Sequence, residues 1–210
     1  MAELLFADPS ERDDLGAFVA RAVRLDPQAV VRLKGREPNL VDAWVATPFD
    51  VLATRTAHGS IDPSDTTVSA NELLAGLAIV RGDRIDPGPA RDMQWRSALP
   101  PTKFWQHVDR IPAAEISALA DRGIEVAREN VGPQGTPPAS LLDKTVLEVT
   151  GDGLEVKVPL RCLFALSGMG FLSEDPDDHI RVTATDAWMR LDARYGAVVR
   201  RRHALLPLLV

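Results

Sequence analysis

The chain has 210 residues, of which 45% are hydrophobic and 26% charged, so it has the composition of a folded protein with one large or two small cores. Its net charge of −6 argues against a free-standing nucleic-acid-binding protein, because such proteins are usually basic. A single cysteine, Cys162, excludes an internal disulfide and a cysteine-based zinc site.

The N-terminal segment predicts a helix whose two ends are both marked. Asp8 caps it, Pro9 suits the first helical position, and Glu11 completes a capping box. Apolar residues then recur at helical spacing, and Pro27 ends the helix. The short opening run has no basic flank, so we expect no signal peptide, and no apolar window reaches membrane-spanning length.

Three runs rich in β-branched residues follow, at 29–34, 40–47 and 50–57. Short turns join them, which predicts an antiparallel meander with the first helix on one face. We expect a polar loop over 58–67, and then a second helix over 69–80.

The second half predicts a helix beginning at Pro112, a loop over 131–138 and a hairpin over 145–159. The next segment, 158–172, is apolar nearly all round, so we expect a helix buried on every side. The stretch from 179 to 203 predicts three more strands, because apolar and polar residues alternate with a period of two.

These elements predict an α+β fold with two lobes, each a helix-covered, three-stranded antiparallel meander. A Pro- and Gly-rich stretch suggests the bounds: an N-terminal lobe over 1–88, a linker over 89–97 and a C-terminal lobe over 98–210. The tripeptide Asp-Ala-Trp begins at Asp42 and again at Asp186, each time in a predicted middle strand. This match favours a diverged internal duplication, with chance as the competing explanation.

Motifs for chemistry are weak throughout the chain. The acidic run Glu174–His179 could hold a hard cation, but it lacks the glycine and distal glutamate of a calcium loop. The four histidines are far apart, and no nucleophile or phosphate-loop signature is met. We therefore predict no catalytic, cofactor-binding or metal-binding residues.

Aromatic residues cluster beside a double proline at Trp95, Phe104 and Trp105. Such residues can form a recognition surface, but packing between two lobes uses them equally well, and we favour packing.

Basic residues cluster at the C-terminus, where the candidate binding residues are Trp188, Arg190, Arg194, Arg200, Arg201 and Arg202. If the last two strands pair, we expect Arg190 and Arg194 to share a face with Arg200 or Arg202. Arginines beside Trp188 could bind phosphate and stack a base, as RNA and single-strand binders do. The favoured alternative is a solvated arginine face paired with the acidic loop 174–178.

Several segments together resemble an uncharacterised family of actinobacterial hypothetical proteins, namely TPFDVLATR, LPPTKFWQHVDRIPAAEI, VPLRCLFALSGMGFL and WMRLDARYGAVVRRR. The resemblance covers most of the chain. It implies separate N- and C-terminal domains with a boundary near residues 88–97, and a cytoplasmic location. It implies no activity and no functional residues.

The leading hypothesis is a non-enzymatic intracellular binding protein that acts as a homodimer or in a complex, without a cofactor or membrane contact. The apolar tail 204–210 motivates the dimer, because a small fold could bury it against a neighbour. The alternatives are nucleic-acid binding through the C-terminal arginines, and an enzyme whose residues converge only in three dimensions.

Overall fold

A computed structural model describes residues 2–79, 82–130 and 137–202. It divides into two compact units, Met1–Ala98 with Gly168–Gly170, and Leu99–Ser167 with Phe171–Val210. The predicted apolar tail, His203 and most of the predicted loop 131–138 lie outside the described residues. Among the described helices, none combines the length and apolar character needed to cross a bilayer.

The first unit begins with a strand and a helix, and four strands, a second helix and a short strand follow. Its elements are β1 (Glu3–Phe6), α1 (Pro9–Leu25), β2 (Val30–Arg36), β3 (Leu40–Thr47), β4 (Val51–Asp62), β5 (Asp65–Ser69), α2 (Ala70–Ile79) and β6 (Arg84–Ile85), followed by a short 3-10 turn at Asp92–Gln94. The predicted meander is confirmed, because β2, β3 and β4 pair antiparallel in chain order and β5 adds on the outer side of β2.

Helix α1 begins as predicted. The Asp8 carboxylate accepts the backbone N–H groups of Ser10 at 2.8 Å and Glu11 at 3.3 Å. The Ser10 hydroxyl and these N–H groups lower the pKa of Asp8. The predicted capping box is not formed, because the Glu11 carboxylate instead accepts the backbone N–H of His58 on β4.

The predicted polar loop over 58–67 is wrong. Strand β4 continues to Asp62, and its last residues pair with β1 from Glu3↔Asp62 to Phe6↔Gly59. Strand β5 then starts at Asp65. The partner strand β1 lies more than fifty residues earlier, so no local pattern in this stretch predicts the pairing.

The second unit also begins with a strand and a helix. Its elements are β7 (Gln106–Pro112), α3 (Ala113–Glu129), α4 (Ala139–Leu142), β8 (Thr145–Gly151), β9 (Leu154–Pro159), α5 (Leu160–Gly168), β10 (His179–Ala184), β11 (Trp188–Ala193) and β12 (Gly196–Arg201). The predicted final meander is confirmed, since β10, β11 and β12 pair antiparallel in chain order.

The predicted hairpin is confirmed as β8–β9. Its turn residues Asp152 and Gly153 have φ values of +50° and +78°, as an Asp-Gly turn between antiparallel strands requires. Strand β7 was not predicted; it pairs with β10 and extends the sheet of the final meander.

Helix α5 is the centre of the second core. Residues Leu160 to Leu166 are all buried, as the apolar pattern predicted. Helix α3 approaches α5 closely at Gly123, where an added Cβ would lie 2.3 Å from Leu160 Cδ1. This contact requires a residue without a side chain.

Candidate functional site

The strand register decides which C-terminal arginines share a face. Trp188 lies opposite Arg201, and Met189 lies opposite Arg200. Because side chains alternate along a strand, Arg201 shares the face of Trp188 and Arg190, whereas Arg200 shares the opposite face. The expectation that Arg190 shares a face with Arg200 or Arg202 is therefore wrong for Arg200, and Arg202 lies beyond the end of β12.

Trp188 is held under an arginine of the neighbouring strand. The Arg201 guanidinium carbon lies 4.5 Å from the centroid of the Trp188 ring, which is cation–π geometry. Only 7% of Trp188 is exposed. A buried ring with one face covered is not available to stack a base.

Arg190 and Arg181 share a carboxylate on the same face of the sheet. Arg190 Nε donates to Asp192 Oδ1 at 2.7 Å, and Arg181 donates to Asp192 Oδ2 at 3.3 Å. Both oxygens of Asp192 are thus engaged, and its charge offsets one of the two cations.

Arg194 binds the acidic loop that precedes β10. Its guanidinium donates to Asp175 Oδ2 at 3.3 Å, while Asp175 Oδ1 accepts the backbone N–H of Asp177. The arrangement matches the predicted pairing of an arginine with this loop. Within the described residues, no group of three or more His, Cys, Asp or Glu side chains is placed to hold a metal ion.

Arg200 lies near a second ion pair. Arg161 donates to Asp143 Oδ1 from Nε at 2.9 Å and from its terminal nitrogen at 2.7 Å. Arg200 approaches the same oxygen at 3.5 Å. Its neighbour Arg202 donates to the backbone carbonyls of Thr185 and Glu155. These arginines join strands and loops of their own unit.

One exposed pair of arginines escaped the sequence prediction. Arg110 on β7 lies directly opposite Arg181 on β10, and both are exposed. Like charges directly opposite on neighbouring strands are destabilising. Recognition of β7 as a strand would have revealed this pair.

Two residues of the predicted aromatic cluster, Phe104 and Trp105, lie in a short loop before β7, whereas Trp95 belongs to the first unit. The Trp105 indole N–H donates to the Pro101 carbonyl at 2.9 Å. Phe104 has a φ of +70° and is 86% exposed. The packing of these aromatic residues between two lobes remains a prediction.

In the first unit, a segment after β6 lies along the outer strand β5. The Thr67 backbone N–H donates to Asp92 Oδ1 at 2.6 Å, and the Thr67 carbonyl accepts the Arg91 N–H at 2.7 Å. This contact satisfies backbone groups that would otherwise be open to another strand.

Arg32 and Asp65 form a bidentate ion pair on the same side of this sheet. Arg32 Nε and its terminal nitrogen each lie 2.8 Å from an Asp65 oxygen. The Arg32 guanidinium holds the pKa of Asp65 below its usual range, and the carboxylate raises the pKa of Arg32. The Arg32 guanidinium also lies 5.8 Å from the centroid of the Trp95 ring.

Two family models match the chain. One, described as Domain of unknown function (DUF8010), matches residues 1–97, and the other, Domain of unknown function (DUF8185), matches residues 100–205. No curated protein matches the sequence.

Among solved structures, the fold is similar to that of bacterial DNA polymerase sliding clamps. The Caulobacter crescentus clamp has a TM-score of 0.59 at 13% identity, covering 98% of this chain and 67% of the clamp chain. The Bacillus subtilis clamp has a TM-score of 0.59 at 12% identity, covering 99% and 66%. The beta subunit of the Streptococcus pyogenes DNA polymerase has a TM-score of 0.59 at 8% identity, with the same coverage. The chain therefore has a mixed α/β, mostly antiparallel fold like that of the clamps, and spans about two thirds of their length.

Proposed function

Since the chain belongs to the DUF8185 family, whose description names no activity, we propose a function from the fold. The protein is a non-enzymatic scaffold that binds other proteins and acts as an oligomer. The observation that carries the proposal is the clamp-like fold over 98–99% of the chain. The matched structures include subunits of a DNA polymerase, which act as parts of a larger assembly. At 8–13% identity the likeness supports the fold, and the binding role is our proposal.

The contacts of the C-terminal arginines support a scaffold more than a catalyst. Arg190, Arg194 and Arg200 each lie against a carboxylate of the chain, and Arg202 donates to backbone carbonyls. Charged side chains fixed in this way hold strands and loops in one geometry, as a binding surface requires.

Cross-linking followed by reconstitution tests the scaffold. A photoreactive residue replaces Tyr195, which is 46% exposed, and the matched control places it at the buried Leu163. We expect a partner protein to cross-link to the chain from position 195 and not from position 163. The purified partner and the purified chain should then form a stoichiometric complex. Failure of every cross-linked protein to rebuild a complex, or substrate turnover by the purified chain, would contradict the proposal.

A second candidate function is binding of RNA or single-stranded DNA at the C-terminal sheet. The exposed pair Arg110 and Arg181 favours it, because a phosphate between two opposed arginines would relieve their repulsion. Arg201, which the sequence also proposed for this role, is placed over Trp188.

Two sets of substitutions distinguish the two surfaces that could bind the nucleic acid. Arg110→Ala with Arg181→Ala should weaken oligonucleotide binding and flatten its salt dependence. Arg200, Arg201 and Arg202 changed together to alanine should have the larger effect if the sequence-based surface is the correct one. No retention of the unmodified protein on heparin or RNA at low salt would exclude both versions.

The remaining proposals concern origin and organisation. The resemblance of the segments quoted in the sequence supports an actinobacterial, cytoplasmic protein, and the bias of 20 arginines to 4 lysines fits a GC-rich genome. Each unit contains a helix followed later by a three-stranded meander, which supports the internal duplication. The domain bounds 1–88, 89–97 and 98–210 also remain proposals.

A further inference from the structure

Thr183 on β10 carries a hydroxyl that is buried and has no hydrogen-bond partner. Only 7% of Thr183 is exposed, and its Oγ1 meets no donor or acceptor within the described residues. Burial of a hydroxyl in this state costs free energy, because its bonds to water are lost and none replaces them. Such groups are uncommon in folded proteins, and a bound ligand is one of the features that account for them.

The strand register surrounds this hydroxyl with basic side chains. On β10, Thr183 lies on the same face as Arg181, which is two residues earlier. Its direct neighbours across the sheet are His107 on β7 and Arg190 on β11. Residues paired in this way have Cβ atoms about 5 Å apart, so long side chains of all three strands can reach the space beside Thr183.

Arg110 on β7 adds a further positive charge to this face. It lies directly opposite Arg181, and in the described part of the chain its guanidinium forms no ion pair with a carboxylate. The neighbouring Asp109 accepts the backbone N–H of Arg110 at 2.7 Å, and its strand partner is a residue of the other face. Asp192 already binds Arg181 and Arg190. Three arginines of β7, β10 and β11 therefore share one carboxylate on this face.

We propose that this face binds a phosphate group, which Arg110 and Arg181 hold by charge and to which the Thr183 hydroxyl donates a hydrogen bond. A phosphate relieves the repulsion between two opposed guanidinium groups and gives the hydroxyl its missing partner. It also offers a separate oxygen to each of these three donors, whereas a carboxylate has two oxygens.

Free phosphate and the phosphates of a nucleic-acid strand share this chemistry. For a strand, the inference rests on the second candidate function proposed above and names the side chains that hold its backbone. For free phosphate, it stands without that function. The two sources are therefore separate arms of the experiment.

Isothermal titration calorimetry with inorganic phosphate at constant ionic strength tests the arginines. We expect saturable binding of one phosphate per chain, and none when sodium chloride replaces phosphate. Arg110→Ala and Arg181→Ala should each weaken the affinity about tenfold, because each removes a charge-assisted hydrogen bond. Arg122→Ala, which removes an exposed arginine of α3, should bind phosphate like the unmodified protein.

Thr183→Val tests the hydroxyl, since valine has nearly the same shape without the polar atom. The affinity for phosphate should fall about fivefold, while the urea midpoint of the free protein rises because the buried hydroxyl is gone. A loss of affinity in a more stable protein does not come from misfolding.

Thr66→Val in the first unit is the matched control, because the Thr66 hydroxyl is also buried without a partner. This variant should raise the urea midpoint too, and it should leave phosphate binding unchanged. Equal losses of phosphate affinity in Thr66→Val and Thr183→Val would overturn the site.

The same variants titrated with a single-stranded oligonucleotide identify the source of the phosphate. Binding that Thr183→Val and Arg110→Ala both weaken supports the site with a strand as its ligand. Binding of inorganic phosphate alone supports the site and contradicts the second candidate function. Oligonucleotide binding that neither variant changes would leave that function standing and overturn the site, and so would the absence of saturable binding of both ligands.

Discussion

Arg161 is a charged side chain within an apolar helix, and its environment is unlike that of its partner. Only 8% of the Arg161 side chain is exposed, against 53% for the Asp143 side chain. Desolvation therefore acts mainly on the cation, and the carboxylate remains hydrated. Removal of the carboxylate and removal of the guanidinium should therefore change the stability of the protein by different amounts.

Asp143→Ala should destabilise the protein by about 3 kcal/mol, because it leaves a buried guanidinium without its carboxylate. Arg161→Met should cost about 1 kcal/mol or less, since the remaining carboxylate is solvated and the new side chain is apolar. Urea unfolding of both variants measures the difference. Equal costs, or a larger cost for Arg161→Met, would contradict this account.

Asp65 should make stability depend on pH in the acidic range. Its pKa is lower in the folded protein than in the unfolded chain because Arg32 binds the carboxylate. The stabilisation is therefore complete above the unfolded pKa of about 3.9 and is lost as the pH falls through the folded pKa. Asp65→Asn should remove about 1 kcal/mol or less at neutral pH, since the pair is partly exposed.

Urea midpoints of the unmodified protein and Asp65→Asn at several pH values test this prediction. The difference between the two proteins should be constant near neutrality and should shrink in acid. Asp26→Asn serves as the control, because the Asp26 carboxylate accepts the backbone N–H of Gln28 and, within the described residues, forms no ion pair with arginine or lysine. If the difference in stability between the two proteins grew in acid, the predicted direction of the pH dependence would be wrong.

At the scale of elements, two helical glycines have opposite surroundings. Gly16 lies in α1, and an added Cβ there would meet nothing within 4 Å. Gly123 lies in α3, where the same atom would approach Leu160 Cδ1 at 2.3 Å and Phe164 Cε1 at 3.2 Å. A substitution at Gly16 should therefore act through helix propensity, whereas a substitution at Gly123 should act through packing.

Gly16→Ala should stabilise the protein by about 1 kcal/mol, because alanine favours a helix interior. Gly123→Ala should destabilise it by about 1–2 kcal/mol, because overpacking against α5 exceeds the gain in propensity. Thermal unfolding of the two variants under the same conditions makes the comparison. A rise in melting temperature for both would mean that Leu160 yields without cost.

The elements that the sequence predicted have local signals, and those it missed depend on distant partners. Helix α5 and the strands β10 to β12 are confirmed, because apolar runs and alternation are visible within them. In β7 the buried residues Val108 and Ile111 are three apart, because the register with β10 shifts between Val182 and Thr183. That spacing resembles a helix, so alternation could not reveal the strand.

Prediction of the candidate site from the sequence was limited in the same way, because it depends on the register of the strands. The sequence predicted that the last two strands pair, but it did not fix their register. Pairing of β11 with β12 puts Arg201 on the face of Arg190 and Arg200 on the other face, and pairing of β7 with β10 brings Arg110 beside Arg181. A shift of one residue exchanges the faces of a strand, so only the paired structure decides such groupings.

At the scale of the whole molecule, the clamp-like fold carries an unusual charge for a nucleic-acid partner. Helix α1 has three acidic and three basic residues, α2 has one acidic, α3 has four acidic and two basic, and α5 has one basic. The described helices are therefore net negative, as is the chain. Duplex DNA would gain little from contact with them.

We therefore expect no measurable binding of a duplex oligonucleotide at physiological salt, because phosphate neutralisation supplies most non-specific affinity. Fluorescence anisotropy with a labelled duplex tests the expectation, and a single-stranded oligonucleotide of the same sequence provides the comparison for the sheet surface. Duplex binding that weakens steeply with added salt would contradict it.

The four tryptophans provide intrinsic fluorescence that reports on binding and unfolding without any label. Trp44 and Trp188 are buried, one in each unit, whereas Trp95 and Trp105 are partly exposed. A soluble quencher such as acrylamide should therefore extinguish the emission of the second pair first. The Trp105 indole is tied to the Pro101 carbonyl, so its fluorescence should report changes in the loop before β7 in real time.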